Sequence, residues 1–127
     1  EVAPHICIGL KGGQIKGEYE IIEYLQKNPP NKLTFIVLIP TKGTEYENVE
    51  PPELEGVADI LCEARINLPD TEINLGCMRP RGVYRKELDQ LSIMCGVNRI
   101  VLPSRSAKNK AIEMNMTINE CKECCVL

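Results

Sequence analysis

The chain has 127 residues, 43% of them hydrophobic, enough for one modest core, and 15 Lys and Arg against 18 Asp and Glu give a formal net charge of −3. That acidic balance, without any Lys/Arg-rich run, offers no electrostatic footprint for nucleic acid or an anionic membrane surface, so neither is expected as a partner. No apolar run approaches the roughly 18 residues that span a bilayer, and the opening "EVAPHICIGL" lacks the basic start and small-residue cleavage site of a signal peptide. A cytoplasmic protein is expected.

In chain order, Gly and Pro divide the sequence into a regular alternation. "HICIGL" (5–10) is rich in β-branched residues and stops at "KGG", which predicts a strand. "GEYEIIEYLQKN" (17–28) has helical spacing through Ile21, Ile22 and Leu25 and ends at "PPN". "KLTFIVLIP" (32–40) is a near-continuous apolar run, as in a strand covered on both faces, and the long loop "TKGTEYENVEPP" follows. Loops of that length are usually functional or mobile.

"ELEGVADILCEARINLP" (53–69) places Leu54, Val57, Ala58, Leu61 and Ala64 on one side of a helix, and "EINLG" (72–76) is a third strand. "YRKELDQLSIMCG" (84–96) predicts a helix closed by Gly96. "NRIVLP" (98–103) is a fourth strand, and "SAKNKAIEMNM" (106–116) a last short helix before "TINECKECCVL". Strand and helix alternate without a hairpin signal, so the expected fold class is α/β, with about four parallel strands joined by helical crossovers. In such folds ligands bind outside the carboxyl ends of the strands. The loops to watch are therefore "GLKGG", "PTKGT", "GCMRPRG" and "PSRS".

Seven cysteines, an odd number, do not make the regular framework of a small secreted scaffold, so a reducing compartment fits better. Cys7, Cys62, Cys77 and Cys95 read mostly as small buried hydrophobes. The terminal "CKECC" has the most metal-like spacing: thiolates at Cys121, Cys124 and Cys125 can share one face and suit zinc or an iron–sulfur centre, although no fourth ligand is evident. A plain Cys-rich tail is the competing reading.

"HICIGLKGGQIKGE", "FIVLIPTKGT", "INLGCMRPRG" and "MCGVNRIVLPS", in this order and spacing, resemble the last strands of a radical S-adenosylmethionine enzyme of the biotin-synthase-like group. The resemblance covers nearly the whole chain. Within the group it extends to archaeal proteins, including one component of an archaeal-type lipoyl synthase. It implies the C-terminal portion of a partial (βα) barrel over residues 1–115 and a Cys-rich tail over 116–127. It also implies S-adenosylmethionine and a 4Fe-4S cluster in the complete enzyme. The family's Cys-x3-Cys-x2-Cys motif, which holds that cluster, does not occur here. The chain starts without Met and almost at once enters a strand, so the expectation is a half-barrel whose N-terminal half lies elsewhere, inactive by itself.

Strand alternation then assigns faces. Ile6, Ile8 and Leu10 are expected to face the helices, and His5, Cys7 and Gly9 the lumen. In the register of the resemblance, Thr34, Ile36 and Leu38 point inward, as do Asn74 and Gly76, whereas Ile73, Leu75 and Cys77 point out. Where this sequence has Asn74, biotin synthase has an Arg that ligates an auxiliary 2Fe-2S cluster, which argues against biotin formation itself.

The resemblance implies cofactor contacts at Gly9, Lys11, Gly12, Gly13, Thr41 and Thr44, with Gly43 shaping the second loop. It implies substrate contacts at His5, Cys7, Ile36, Asn74, Arg79 and Arg81. The family often has a Glu near the position of Gly12, so that contact does not carry over; Glu18 is either the shifted acid or a first-turn carboxylate favoured by the helix dipole. "KGG" and "TKGT" are also ordinary turns. Gly76 is expected to turn the chain at the rim, with Arg79 and Arg81 over the barrel mouth, able to pair with a carboxylate of cofactor or substrate; the competing reading has both arginines solvated or bridging the acidic residues of neighbouring helices.

Three functional classes remain open. The chain is the substrate- and cofactor-pocket half of a radical enzyme of sulfur insertion or related cofactor biosynthesis, acting on a small-molecule or carrier-bound substrate. Alternatively it is a non-catalytic α/β binding or assembly module, or a small metal-binding protein using its Cys tail. With two open sheet edges and Ile36 and Leu38 facing no opposing wall, self-association is expected.

Overall fold

A computed structural model describes residues 2–122. Four strands alternate with four helices: β1 (His5–Ile8), α1 (Glu18–Lys27), β2 (Lys32–Val37), α2 (Leu54–Asn67), β3 (Glu72–Leu75), α3 (Val83–Met94), β4 (Arg99–Ile100) and α4 (Arg105–Glu113). The strands form one all-parallel sheet in sequential order β1-β2-β3-β4. Sequential parallel order is the arrangement of a (βα) barrel segment, and the α/β architecture is that of a partial barrel. No helix among the described residues is long and apolar enough to cross a membrane.

The core lies between the sheet and α1 to α3. Ile6 and Ile8, Leu33, Phe35 and Val37, and Ile73 and Leu75 project from alternate strand positions onto Ile22, Val57, Ile60, Leu61, Ala64, Leu68 and Leu88. The helix-facing parity expected for β1 and β3 therefore holds for the strand residues themselves. Leu10 departs from it. The strand ends at Ile8, Gly9 adopts a φ of 79°, and Leu10 is left 62% exposed in the turn beyond. Ile21 likewise lies on the solvent side of α1, which buries Ile22 instead.

Local chemistry sets the ends of the elements. The Ser104 hydroxyl accepts from the Ala107 amide to cap α4, and Asn115, with a φ of 56°, ends it as the Met116 amide reaches back to the Ala111 carbonyl. Strand β4 is short, but amides on both sides extend its pairing, Asn98 to Ile73 O at 2.7 Å and Val101 to Leu75 O at 2.9 Å. Arg65 of α2 clamps the opposite end of the sheet, donating to the carbonyls of Leu68, Pro69, Thr71 and Gly96.

Candidate functional site

Parallel register lines up one row of residues across all four strands. His5 pairs with Thr34, Thr34 with Asn74 and Asn74 with Arg99, each on the face turned away from the core. In the adjoining row Cys7 is beside Ile36, and Gly76 follows. Four expected substrate contacts, His5, Cys7, Ile36 and Asn74, thus fall on one face in two neighbouring layers. Thr34, expected to point inward, joins them, as do Glu72 and Arg99, which were not singled out from sequence. Extending the alternation of β3 back to Glu72 and carrying it onto "NRIVLP" is the signal that finds Glu72 and Arg99.

This face is polar at its lower layer. The Asn74 amide donates to Glu72 Oε1 at 3.2 Å, and Arg99 Nε pairs with the same oxygen at 3.1 Å. Thr34 is fully buried, and its hydroxyl oxygen has no hydrogen-bond partner among the described residues. Such an atom costs free energy unless a partner supplies the missing bond. Ile36 and Leu38, expected to lack an opposing wall, are half-buried. His5 is exposed, with Nδ1 3.0 Å from the Ala3 carbonyl, at the end of the barrel away from the rim.

At the rim, the loop after β1 packs against the chain's own long loop. A Cβ on Gly9 would lie 2.1 Å from Pro52 Cγ, and one on Gly13 would lie 2.1 Å from the Glu50 carbonyl oxygen. The close backbone approach that the resemblance reserves for a cofactor is thus made here by residues 50–52, which only Gly at these positions permits. The Gly13 amide closes the turn on Gly9 O at 2.8 Å. Gly12 has open space where a Cβ would be, and Lys11 is exposed.

Glu18 opens α1, but its side chain folds back under the loop. It is 4% exposed, and Oε1 accepts from the Gly9 amide at 2.8 Å while Oε2 is buried with no partner among the described residues. Burial first, and the Glu18 carboxylate second, push the Cys7 thiol up from its ordinary value, so Cys7 is held in the neutral form at physiological pH. Thr41 and Thr44 lie in the exposed loop after β2, their hydroxyls given to Ile39 O and Thr41 O, and the Gly43 amide is taken by Glu47.

In the loop after β3 Arg79 takes the bridging reading and not the cofactor- or substrate-binding one. Arg79 is completely buried, its guanidinium turned inward onto Asp89 of α3, with Nε to Oδ1 at 2.8 Å. Its remaining donors reach the carbonyls of Gly76, Val101 and Leu102, and Asp89 Oδ2 accepts from the Ser104 amide. The carboxylate that Arg79 binds is therefore the chain's own, and the residue ties the ends of β3 and β4 to α3 and the start of α4. Gly76 is also corrected. Its missing Cβ makes room for Ile36 Cγ2, which would be 2.7 Å away, and Thr34 Cγ2 at 3.2 Å. Close packing across the lumen face, not a turn, requires it.

Arg81 is exposed at the rim. The guanidinium that sequence reasoning missed is Arg85, at the start of α3: Nη2 donates to the Cys77 carbonyl at 2.6 Å, and Nε is buried without a partner among the described residues. Burial first, then the nearby Arg79 charge, lowers its pKa. Among the described residues no group of three or more His, Cys, Asp or Glu side chains stands ready for a metal ion, so they do not fit an iron–sulfur cluster. Cys121 is exposed; Cys124 and Cys125 lie outside the described residues.

A scan against protein-family descriptions finds no match. Among curated proteins the chain is similar to a biotin synthase of Ruthia magnifica subsp. Calyptogena magnifica, with 26% identity over 101 residues. The matched region takes in 76% of this chain and 31% of that protein, so the chain spans about a third of its relative's length. This likeness and the all-parallel partial barrel point the same way, to a relationship at the level of biotin-synthase-like proteins.

Proposed function

We propose that the chain is one wall of the barrel of a radical S-adenosylmethionine enzyme resembling biotin synthase, lining the cofactor and substrate pocket, with cluster ligands supplied by polypeptide outside these residues. The observation that carries this reading is the lumen face itself. A row of polar side chains runs across four parallel strands, with a buried Thr34 hydroxyl that has no partner among the described residues, in a chain similar over 101 residues to a biotin synthase. A sheet face destined for bulk solvent has no need of a buried polar layer, whereas one that faces a bound molecule does.

The rim suits a zwitterionic cofactor. S-adenosylmethionine carries a carboxylate, an ammonium and a sulfonium, and supplies radical chemistry when bound beside a reduced cluster. After β1 the buried Oε2 of Glu18 offers an acceptor, and after β3 the buried Nε–H of Arg85 offers a donor. Cys7, neutral and half-buried on the lumen face, borders the substrate layer of Thr34 and Asn74. Asn74, where biotin synthase has its ligating Arg, favours a related reaction over biotin formation. The archaeal lipoyl-synthase component remains the finer form of the same proposal.

The test is anaerobic purification of the polypeptide that carries this chain together with its remaining strands, followed by iron and sulfide analysis and measurement of S-adenosylmethionine affinity. A bound cluster, with affinity weakened by Glu18→Gln and by Arg85→Met, is expected. A polypeptide without iron that binds no S-adenosylmethionine would instead identify a non-catalytic α/β module.

A further inference from the structure

Cys62 and Cys95 stand apart from both the rim and the lumen. Three contacts define which face of α2 meets the end of α3. The Cys95 thiol donates to the Ala58 carbonyl at 3.3 Å, Arg65 Nε donates to the Gly96 carbonyl at 3.1 Å, and a Cβ on Gly96 would lie 3.2 Å from Arg65 Cγ. Residues 58, 62 and 65 are spaced i, i+4, i+7 and so share one helical face. Cys62 therefore sits between two positions that each touch the 95–96 pair, which puts it beside Cys95. Both cysteines are partly exposed and unjoined. The sequence reading of these cysteines as mostly buried small hydrophobes holds only in part, since both keep some access to solution reagents.

We propose that Cys62 and Cys95 form a reversible disulfide tying α2 to the end of α3, with a small-molecule disulfide of the glutathione class as oxidant. The Cys62 thiolate attacks one sulfur of the reagent, whose S–S bond breaks; one thiolate leaves and takes up a proton, and a mixed disulfide remains on Cys62. The Cys95 sulfur then loses its proton to solvent base and attacks the Cys62 sulfur, releasing the second thiol of the reagent. Two protein thiols are oxidised by two electrons, and the reagent is reduced to two thiols. Burial first, aided by the neighbouring Cys62, pushes the Cys95 thiol up to about 12, which suits Cys95 to the second attack and not the first.

The location gives the bond a structural consequence. Arg65, on the same face of α2, also bonds the side chain of Asn98, whose Oδ1 accepts from the Ile73 amide at 2.9 Å. A link between Cys62 and Cys95 would fix the segment that leads into β4 and sets its place beside β3.

The experiment is peptide mapping of the full chain after equilibration in mixtures of oxidised and reduced glutathione, acid quenching and alkylation. The expected main product joins Cys62 to Cys95, consumes those two thiols of the seven present, is reversed by dithiothreitol, and loses its dominance when the equilibration is done in denaturing urea. Cys95→Ser should stop the reaction at the mixed disulfide on Cys62, and Cys62→Ser should leave Cys95 open to alkylation. The proposal is overturned if both thiols stay free in the native chain, if they are recovered joined to other cysteines, or if urea leaves their pairing undiminished. Mapping of the unsubstituted chain decides these outcomes even if a serine variant does not fold.

Discussion

Replacing Arg79 by Ala separates the two roles that its position allows. The guanidinium and the Asp89 carboxylate are both 0% exposed, and three backbone carbonyls share its other donors. Truncation leaves Asp89 in place with its Oδ2 still held by Ser104 N and its Oδ1 without the charge that neutralised it. Removing one partner of a buried ion pair costs about 3–5 kcal/mol, because the survivor stays desolvated and charged. A domain of this size has a total stability of roughly 5–15 kcal/mol, so Arg79→Ala removes a large share of it. The assay is urea unfolding followed by circular dichroism, comparing midpoints at constant slope. A loss below about 1 kcal/mol for Arg79→Ala is the magnitude of an exposed arginine. That result would refute the buried-strut assignment and return Arg79 to the barrel mouth.

Gly76→Ala places a methyl against Ile36 Cγ2 and Thr34 Cγ2 and should destabilise by about 1–3 kcal/mol, with part of the loss recovered in the double variant with Ile36→Ala; an unfolding midpoint unchanged by Gly76→Ala would remove the packing argument. The Tyr84 hydroxyl donates to the Pro52 carbonyl at 2.6 Å and so holds the end of the long loop to α3; Tyr84→Phe deletes that bond, costing about 0.5–1.5 kcal/mol and speeding proteolysis within residues 41–50, and an unchanged cleavage rate contradicts this role of the bond. Burial pushes the Tyr84 hydroxyl up to about 12, above the ordinary tyrosine value of about 10. Its contribution to stability is accordingly complete below pH ~10 and lost as pH rises from there towards 12. Ultraviolet titration should show a late-ionising tyrosine that is absent from Tyr84→Phe, and ionisation of all tyrosines together near 10 would contradict it.

The order of strands and helices was legible in the sequence because each apolar run is bounded by Gly or Pro and its period changes from element to element. The faces of β1 and β3 followed from alternation, which fixes Ile6, Ile8, Ile73 and Leu75 on the core side and Asn74 on the other. Alternation failed at Leu10, where the strand had already ended at Gly9. Contacts that close only in three dimensions were not legible. A bridge from Arg79 to an acid of a neighbouring helix was one of two readings open in the sequence, but neither the choice of Asp89 nor its burial under carbonyls from β4 was legible, and the glycines of the first loop read as a cradle until residues 50–52 fold onto them. Cys62 and Cys95, far apart in sequence, give no sign of being neighbours; only the packing of α2 on the end of α3 places them side by side.

The most direct test of the assigned role is reductive cleavage of S-adenosylmethionine by the polypeptide that contains this chain and its remaining strands, after anaerobic cluster reconstitution, compared with the same polypeptide lacking residues 1–122. Cleavage that depends on reductant and is lost with the deletion, while iron is retained by the remainder, is the predicted result. Equal cleavage without these residues, or none by the complete polypeptide with its cluster in place, would contradict the account of this chain as a wall of the cofactor and substrate pocket.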